Sequence, residues 1–408
     1  MTADNKKTII VIGAGLLSIK NIETAKKMGY KVIVTDMNPN AIGFKYADIP
    51  ILLSTRDIDG HVREAKELSN NHNIVGVFTA GADVEVTVAH TARALGLIGV
   101  SPEVANKCND KLLMRQELAK ANVPGPKFAK VNDKKDALRF IKEVGYPVII
   151  KPLDNCGSRG VRVISNDTEL DSSIEFSKEL GVCEKESLLI EEFLEGPTQT
   201  VEMLVCDGKY HLCSIIDTFH DYFPYRVEVA HVNPTILSKD LQNELFMLAR
   251  RASEVIGIDV GAAKVDTIIS GKEGPVVMEM TSRLSGGFHC QYTTPLAHGT
   301  NNIKAAIDIA VGNPIKYADI VPSKNRHARC QALFPQPGKV VSINGVEKAK
   351  MVPGVEEIFV LVNEGDLVPE YRSSADRVCF VITSGASYEE ALRVAKQAKS
   401  LINIETIR

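Results

Sequence analysis

Residues 261–287 read GAAKVDTIISGKEGPVVMEMTSRLSGG, and two acids inside this stretch, Asp266 and Glu279, decide how the fold is read. Each lies in an apolar run, AAKVDTII (262–269) or PVVMEM (275–280), that reads as a buried strand. SGKEG (270–274) between them has the length and glycines of a hairpin turn, so both carboxylates can face the same side. A buried, unpaired carboxylate is costly. Either a hard divalent cation with oxygen ligands sits between the two acids, or each acid turns to solvent or pairs with Lys264 or Arg283.

Working outward, KKTIIVIGAG (6–15), LSIKNIETAKKMG (17–29) and YKVIVTD (30–36) spell strand, glycine turn, helix and strand, one parallel βαβ unit. A helix over 57–70, the strand IVGVFTAG (74–81) and a helix over 83–95 extend it into an open α/β domain. Residues 101–126 read as helical, stopped by Pro124 and Pro126. Helix 133–145, strand YPVIIKP (146–152), a glycine-rich turn, strand GVRVIS (160–165), a helix from Asp167 and strand SLLIEEFL (187–194) describe a small α+β unit reaching about Cys206. More strands, a helix over 239–256, the acidic hairpin and a helix in 300–314 follow. Beyond Pro322 come short strands, then an amphipathic helix over 387–402. The expected division is an α/β domain over 1–110, a domain over 111–325 containing the small unit (about 128–206), and a strand-rich domain over 326–408.

The 408 residues are 44% hydrophobic and 24% charged, which suits a multidomain globular protein with ample core. A net charge of −3 provides no basic field, so nucleic acid and anionic membranes are disfavoured partners and small molecules are favoured. Cys108, Cys156, Cys183, Cys206, Cys213, Cys290, Cys330 and Cys379 form no CxxC pair, which points to a reducing compartment. No apolar run approaches the roughly 20 residues that span a bilayer, and MTADNKK lacks a signal-peptide core. The expected location is cytoplasmic.

Gly13, Gly15 and Asp36 imitate a dinucleotide fingerprint, but Ser18 replaces its third glycine. A nicotinamide-dependent oxidoreductase is therefore an outside reading, against a plain tight turn. In KPLDNCGSRGV (151–161), Lys151 ends an apolar strand and Gly157, Ser158, Arg159 and Gly160 form a loop whose amides could wrap phosphate oxygens. Walker spacing is absent, which excludes a P-loop. In SLLIEEFLEG (187–196), backbone groups could bond a flat base while Phe193 and Leu194 pack near it.

In order, a helix lysine (Lys111), a strand lysine (Lys151), the glycine-rich loop, EEFLEG, and the acidic pair with Arg283 resemble the ATP-grasp superfamily along the whole chain. The resemblance implies an ATP-grasp fold, mixed α/β and α+β, behind an N-terminal Rossmann-like domain and before a small C-terminal domain like that of biotin carboxylase. It implies that Lys111 and Lys151 contact ATP phosphates, that Gly157–Gly160 closes over them, and that Glu191, Glu192, Phe193 and Leu194 line the adenine. Asp266 and Glu279 would hold magnesium, or manganese, and Arg283 would face the transferring phosphoryl group or an oxyanion. Thr281 stands where many members carry Asn, and Thr198 where an acid often grips the ribose, a contact that would pass to Gln199, Glu202 or water.

The branch resembled is that of ligases joining amino acids: a carboxylate activated as an acyl phosphate is attacked by an amine, both small molecules, and a homodimer is suggested. A biotin carboxylase or purine-pathway carboxylase is the alternative inside the superfamily, and a nucleotide-binding regulator without turnover lies beyond it. Ser285, Gly286, Gly287 and His289, in RLSGGFHCQYTTPLAHG (283–299), are substrate candidates. Asp83 or Glu85 in TAGADVE (79–85) could meet an amino group at the carboxyl edge of the first sheet, unless Asp83 is simply a helix cap. Arg226 and Glu228 in HDYFPYRVEVAH (220–231) could form a substrate wall or an ordinary sheet face.

Overall fold

A computed structural model describes residues 4–182 and 186–408. Cys183 lies outside the described residues, and the other seven cysteines are free thiols. Strands β1 (Asp4–Ile12), β2 (Lys31–Asp36), β3 (Ile49–Leu52) and β4 (His72–Phe78) form a parallel sheet in the order β3-β2-β1-β4. Alternation along β1 explains its double burial. Ile9 and Val11 join one apolar cluster with Ile22, while Ile10 and Ile12 join another with Ala65, so both faces are covered as a parallel sheet requires. The short, proline-containing β3 carries no readable period and occupies the edge, where Pro50 is tolerated.

The helix expected over 101–126 is two helices, Pro102–Asn109 and Lys111–Lys120. Asp110 breaks them. Its backbone is extended and its carboxylate accepts the Leu112 and Leu113 amides at 2.8 and 3.0 Å, an N-cap that makes Lys111 the first residue of the second helix.

β5 (Phe128–Val131), β6 (Val148–Pro152), β7 (Arg162–Ile164) and β8 (Leu188–Glu192) form a small antiparallel sheet, β5-β8-β6-β7. Helices Lys134–Val144 and Leu170–Glu179 bury Phe140 and Ile174 against its Ile150 and Ile190. The small unit is shorter than expected: β9 (Thr198–Cys206) belongs to another sheet.

The remaining strands are β10 (Lys209–Asp221), β11 (Val227–Asn233), β12 (Gly261–Ser270), β13 (Gly274–Thr281), β14 (His327–Leu333), β15 (Gly338–Asn344), β16 (Val355–Val360), β17 (Leu367–Val368), β18 (Cys379–Gly385) and β19 (Asn403–Ile407). Eight strands make one sheet, β13-β12-β9-β10-β11-β14-β18-β16, and three make a second, β17-β15-β19. Ala230 pairs with Gln331 and His231 with Cys330, so backbone hydrogen bonds cross the division expected at 325/326. C-terminal residues are thereby fixed beside the hairpin's sheet. Among the described residues no helix is long and apolar enough to cross a membrane.

Candidate active site

Asp266 on β12 and Glu279 on β13 are direct partners across the antiparallel hairpin. Both face a cavity of about 430 Å³. Lysines hold them: Lys264 Nζ lies 2.5 Å from Asp266 Oδ2, and Lys111 Nζ 2.6 Å from Glu279 Oε1. Thr200, opposite Asp266 on β9, donates to Asp266 Oδ1 at 2.6 Å. Pairing with Lys264, one of the readings open in the sequence, is therefore what this structure contains. Burial works to raise the Glu279 carboxyl, but the charges of Lys111, Lys151 and Lys264 outweigh it and hold the group ionised, at about 2.

These acids fit a magnesium ion on their donor chemistry: two carboxylates face the cavity, and the buried Thr281 hydroxyl at the end of β13 has no hydrogen-bond partner among the described residues. Lys264 was read only as a neutralising partner. Its position two residues before Asp266 puts it on the same strand face, the periodic signal that would have added it to the site.

Lys151 on β6 also faces the cavity, and its Nζ lies 2.6 Å from Glu191 Oε2. Arg115, one helical turn beyond Lys111, pairs with Glu191 Oε1 through Nε and donates to the carbonyls of Val277 and Met278. Glu191, expected to line an adenine partly through backbone groups, is 0% exposed, and its carboxylate is taken up by Arg115 and Lys151. It is the buried counter-ion that fixes Lys151 and Arg115, and Arg115 in turn ties the helix to β13. Glu192, Phe193 and Leu194 are absent from the cavity wall. The Glu192 and Phe193 amides donate instead to Lys127 and Pro147 carbonyls. Ile149, Val161 and Met278 provide the apolar wall. One of them was recoverable from the strand period, Ile149 two residues before Lys151, whereas Met278 is the extra residue of a β-bulge between the Asp266–Glu279 and Thr267–Val277 pairs.

The loop from Asn155 to Arg159 reaches the cavity. Gly157 (φ +62°), Ser158 (φ +59°) and Gly160 (φ +76°) adopt left-handed backbone, and a Cβ on Gly160 would lie 2.6 Å from Pro152. Lys111 Nζ donates to the Asn155 carbonyl at 2.6 Å, joining loop and hairpin. The loop also meets the C-terminal region, where the Ser374 amide donates to the Gly157 carbonyl at 2.9 Å. Nothing in the loop's own sequence signals that contact.

Arg283, 7% exposed, faces the cavity with Asp83 and is paired to its carboxylate. Burial would raise Asp83, yet the Arg283 charge pulls it down to about 2. Asp83 does not cap the helix that begins at Glu85. Glu85 is buried, and burial raises its carboxyl. Ser285 faces the cavity but donates both its amide and hydroxyl to Glu202 Oε1. Glu202 is fully buried and outside the cavity wall, whereas Gln199 lines the cavity. Gly286 and Gly287 let the chain pass close to the N-terminal domain: a Cβ on Gly286 would lie 3.1 Å from the Gly81 carbonyl. His289 faces the cavity, as do Arg226 and Glu228 of the suggested substrate wall. Tyr222, Phe223 and Tyr225 do not; they line a separate aromatic pocket with Phe334 and Tyr371.

Asp36, the acid of the glycine fingerprint, accepts the Ala14 amide and the Asn38 amide at 2.9 Å each. The turn satisfies itself.

Comparison with known proteins agrees with the fold. A family model described as the carbamoyl-phosphate synthase L chain ATP-binding domain matches residues 110–318, and one described as L-amino acid ligase C-terminal domain 2 matches residues 331–406. An uncharacterized protein, y4rH, of Sinorhizobium fredii is 25% identical over 86% of this chain and 72% of its own length. The crystal structure of an L-amino acid ligase from Bacillus licheniformis superposes with a TM-score of 0.84 at 20% identity, covering 100% of both chains. The biotin carboxylase domain of a Hydrogenobacter thermophilus 2-oxoglutarate carboxylase, solved as a dimer with MgADP, ADP and bicarbonate, gives 0.74 at 20% identity, covering 99% of this chain and 91% of that one.

Proposed function

Because the chain belongs to the ATP-grasp superfamily, in the family of the carbamoyl-phosphate synthase large-chain ATP-binding domain, we propose that it is an ATP-dependent ligase joining a carboxylate to an amine, with amino-acid-like substrates. One observation carries the reading: opposed acids, three lysines, a left-handed glycine loop and a buried arginine converge on one cavity. Phosphoryl transfer needs positioning and charge neutralisation rather than covalent help from protein groups.

In this reading Lys111 and Lys151 bind the triphosphate under the Asn155–Gly160 loop, with the base against Ile149, Val161 and Met278. Asp266 and Glu279 would hold magnesium, whose chemistry is to neutralise charge building on the phosphates. With those acids engaged by magnesium, Lys264 and Lys111, now paired to them, would be free to reach phosphate oxygens. The carboxylate oxygen of the first substrate attacks the γ-phosphorus and ADP leaves. Arg283, held by Asp83, faces the resulting acyl phosphate. The amine then attacks the acyl carbon, phosphate departs with the C–O bonding pair, and the ammonium proton is lost, leaving an amide. A dimer, as in the carboxylase neighbour, is part of the proposal.

The test is phosphate release from ATP and Mg²⁺ across a panel of amino-acid pairs, with the amide product identified by mass. Release that requires both a carboxylate and an amine supports the ligase. Release that requires bicarbonate and no amine would replace it with a carboxylase, and ATP binding without consumption would leave a regulator.

A further inference from the structure

We propose that Glu228, His231 and His289 form a binding site for a divalent transition-metal ion, separate from the Asp266/Glu279 pair. One donor atom from each of the three lies within 4.8 Å of the other two. The backbone explains the cluster. Residues three apart on a regular strand point to opposite faces, but Phe219 pairs with Ala230 and the next residue, His220, with Glu228. Val229 is the extra residue of a β-bulge, which turns Glu228 to the side of His231. Glu228 Oε1 then lies 3.3 Å from His231 Nδ1. His289 arrives from another element, a single π-helical turn (His289–Thr293) entered through left-handed Phe288, and its ring centroid is 4.0 Å from that of His231. Such turns are frequent at functional sites.

The rings are 1% and 3% exposed, yet His231 Nε2 and both nitrogens of His289 have no hydrogen-bond partner among the described residues. Leaving buried polar atoms unsatisfied costs roughly 1–3 kcal/mol each. Burial holds both imidazoles neutral, the state in which they donate to a metal. Nearby charge then selects the ion. Arg377 lies 3.4 Å from Glu228 Oε1, and Lys264 and Arg377 both act on His289. A hard cation held only by charge is disfavoured there; an ion that gains from imidazole bonding, such as Zn²⁺ or Co²⁺, is favoured over Mg²⁺. Two imidazoles and one carboxylate leave coordination positions open, and Glu228 and His289 both face the cavity. Resting on the ligase reading, the open positions would take the amino or carboxylate group of the second substrate.

The experiment uses the full chain stripped with chelator and titrated with Co²⁺ in excess Mg²⁺, read by visible ligand-field absorption and by calorimetry with Zn²⁺. The expected result is one ion per chain, with affinity falling on the order of 100-fold in His289→Ala and in Glu228→Gln. Glu228→Gln keeps the side-chain shape, so it answers if His289→Ala fails to fold. Glu279→Ala should keep the Co²⁺ spectrum while ATP turnover is lost, which separates this site from the proposed ligase centre. No Co²⁺ spectrum in the unmodified protein, a spectrum surviving in a folded His289→Ala or Glu228→Gln, or one abolished by Glu279→Ala would each overturn the proposal.

Discussion

The glycine turn after β1 and the acidic hairpin of β12 and β13 look alike on paper: each places an acid at a strand where a ligand would need it. They differ in what holds the acid. Asp36 is bonded by backbone amides of its own turn, at Ala14 and Asn38, which no ligand can displace without undoing the turn. Asp266 and Glu279 are held by the flexible ends of Lys264 and Lys111, in a cavity, and each partner can move to another anion. A motif acid is available to a ligand when its present partner is exchangeable.

The sharpest test of that contrast is Glu279→Ala. Removing a cavity acid with an exchangeable partner should lower the ATP-dependent rate by on the order of 10³-fold, a loss comparable to removing other groups that stabilise transferring phosphate. The folded state should persist by circular dichroism. A rate within tenfold of the parent would break the comparison, because the hairpin would then be as structural as the glycine turn. Glu191→Gln comes next. Arg115 and Lys151 would both remain buried without their counter-ion, and a loss of about 3 kcal/mol in chemical denaturation is expected, as for other broken buried pairs. The KM for ATP should also rise, by roughly tenfold, since Lys151 loses the group that aims it. A rise in KM with unchanged stability would mean that Glu191 contacts the nucleotide after all.

Those two glutamates also mark how far the sequence could be read. The ATP-grasp order of elements was legible because it rests on local patterns: alternating apolar runs, turn glycines and spaced lysines. Glu279 was legible because its hairpin partner lies close in sequence. Glu191 was not, since exposed and buried acids at a strand end look identical until Arg115, 76 residues away, is brought against it. Still longer separations in sequence hid the Ser374 contact with the glycine loop and the pairing of β11 with β14, which carries the C-terminal region to the cavity. The Glu228 and His231 pair was hidden differently: a bulge shifts the face of one residue, and bulges leave little trace in a strand's period.

A smaller effect is expected from Asp36→Ala. Two hydrogen bonds disappear, one from the buried Ala14 and one from the exposed Asn38, which should cost about 1–2 kcal/mol, seen as a lower melting temperature. ATP-dependent turnover should stay within about twofold, because the turn holds nothing. A nicotinamide nucleotide whose binding to the parent is lost in Asp36→Ala would reverse this and restore the dinucleotide reading of the fingerprint.

The weakest perturbation is acid, acting on a polar group satisfied in the manner of Asp36. His298 Nε2 lies 3.0 Å from Ser214 Oγ and 3.1 Å from Asn233 Oδ1, with His327 and Lys239 near enough to oppose its protonation. Burial first, and those charges second, hold its imidazolium at about 4, below the ordinary 6.5. The folded value lies under the unfolded one, so the unfolded chain binds the proton more readily in the window between them. Stability is therefore full above about pH 6.5 and falls as pH drops toward 4. Thermal melts at pH 7.5 and pH 5 should differ by roughly a few degrees in that direction, and His298→Gln should narrow the gap. A gap of the same size in the variant would assign the acid sensitivity to another buried group and leave His298 outside the class that Asp36 defines.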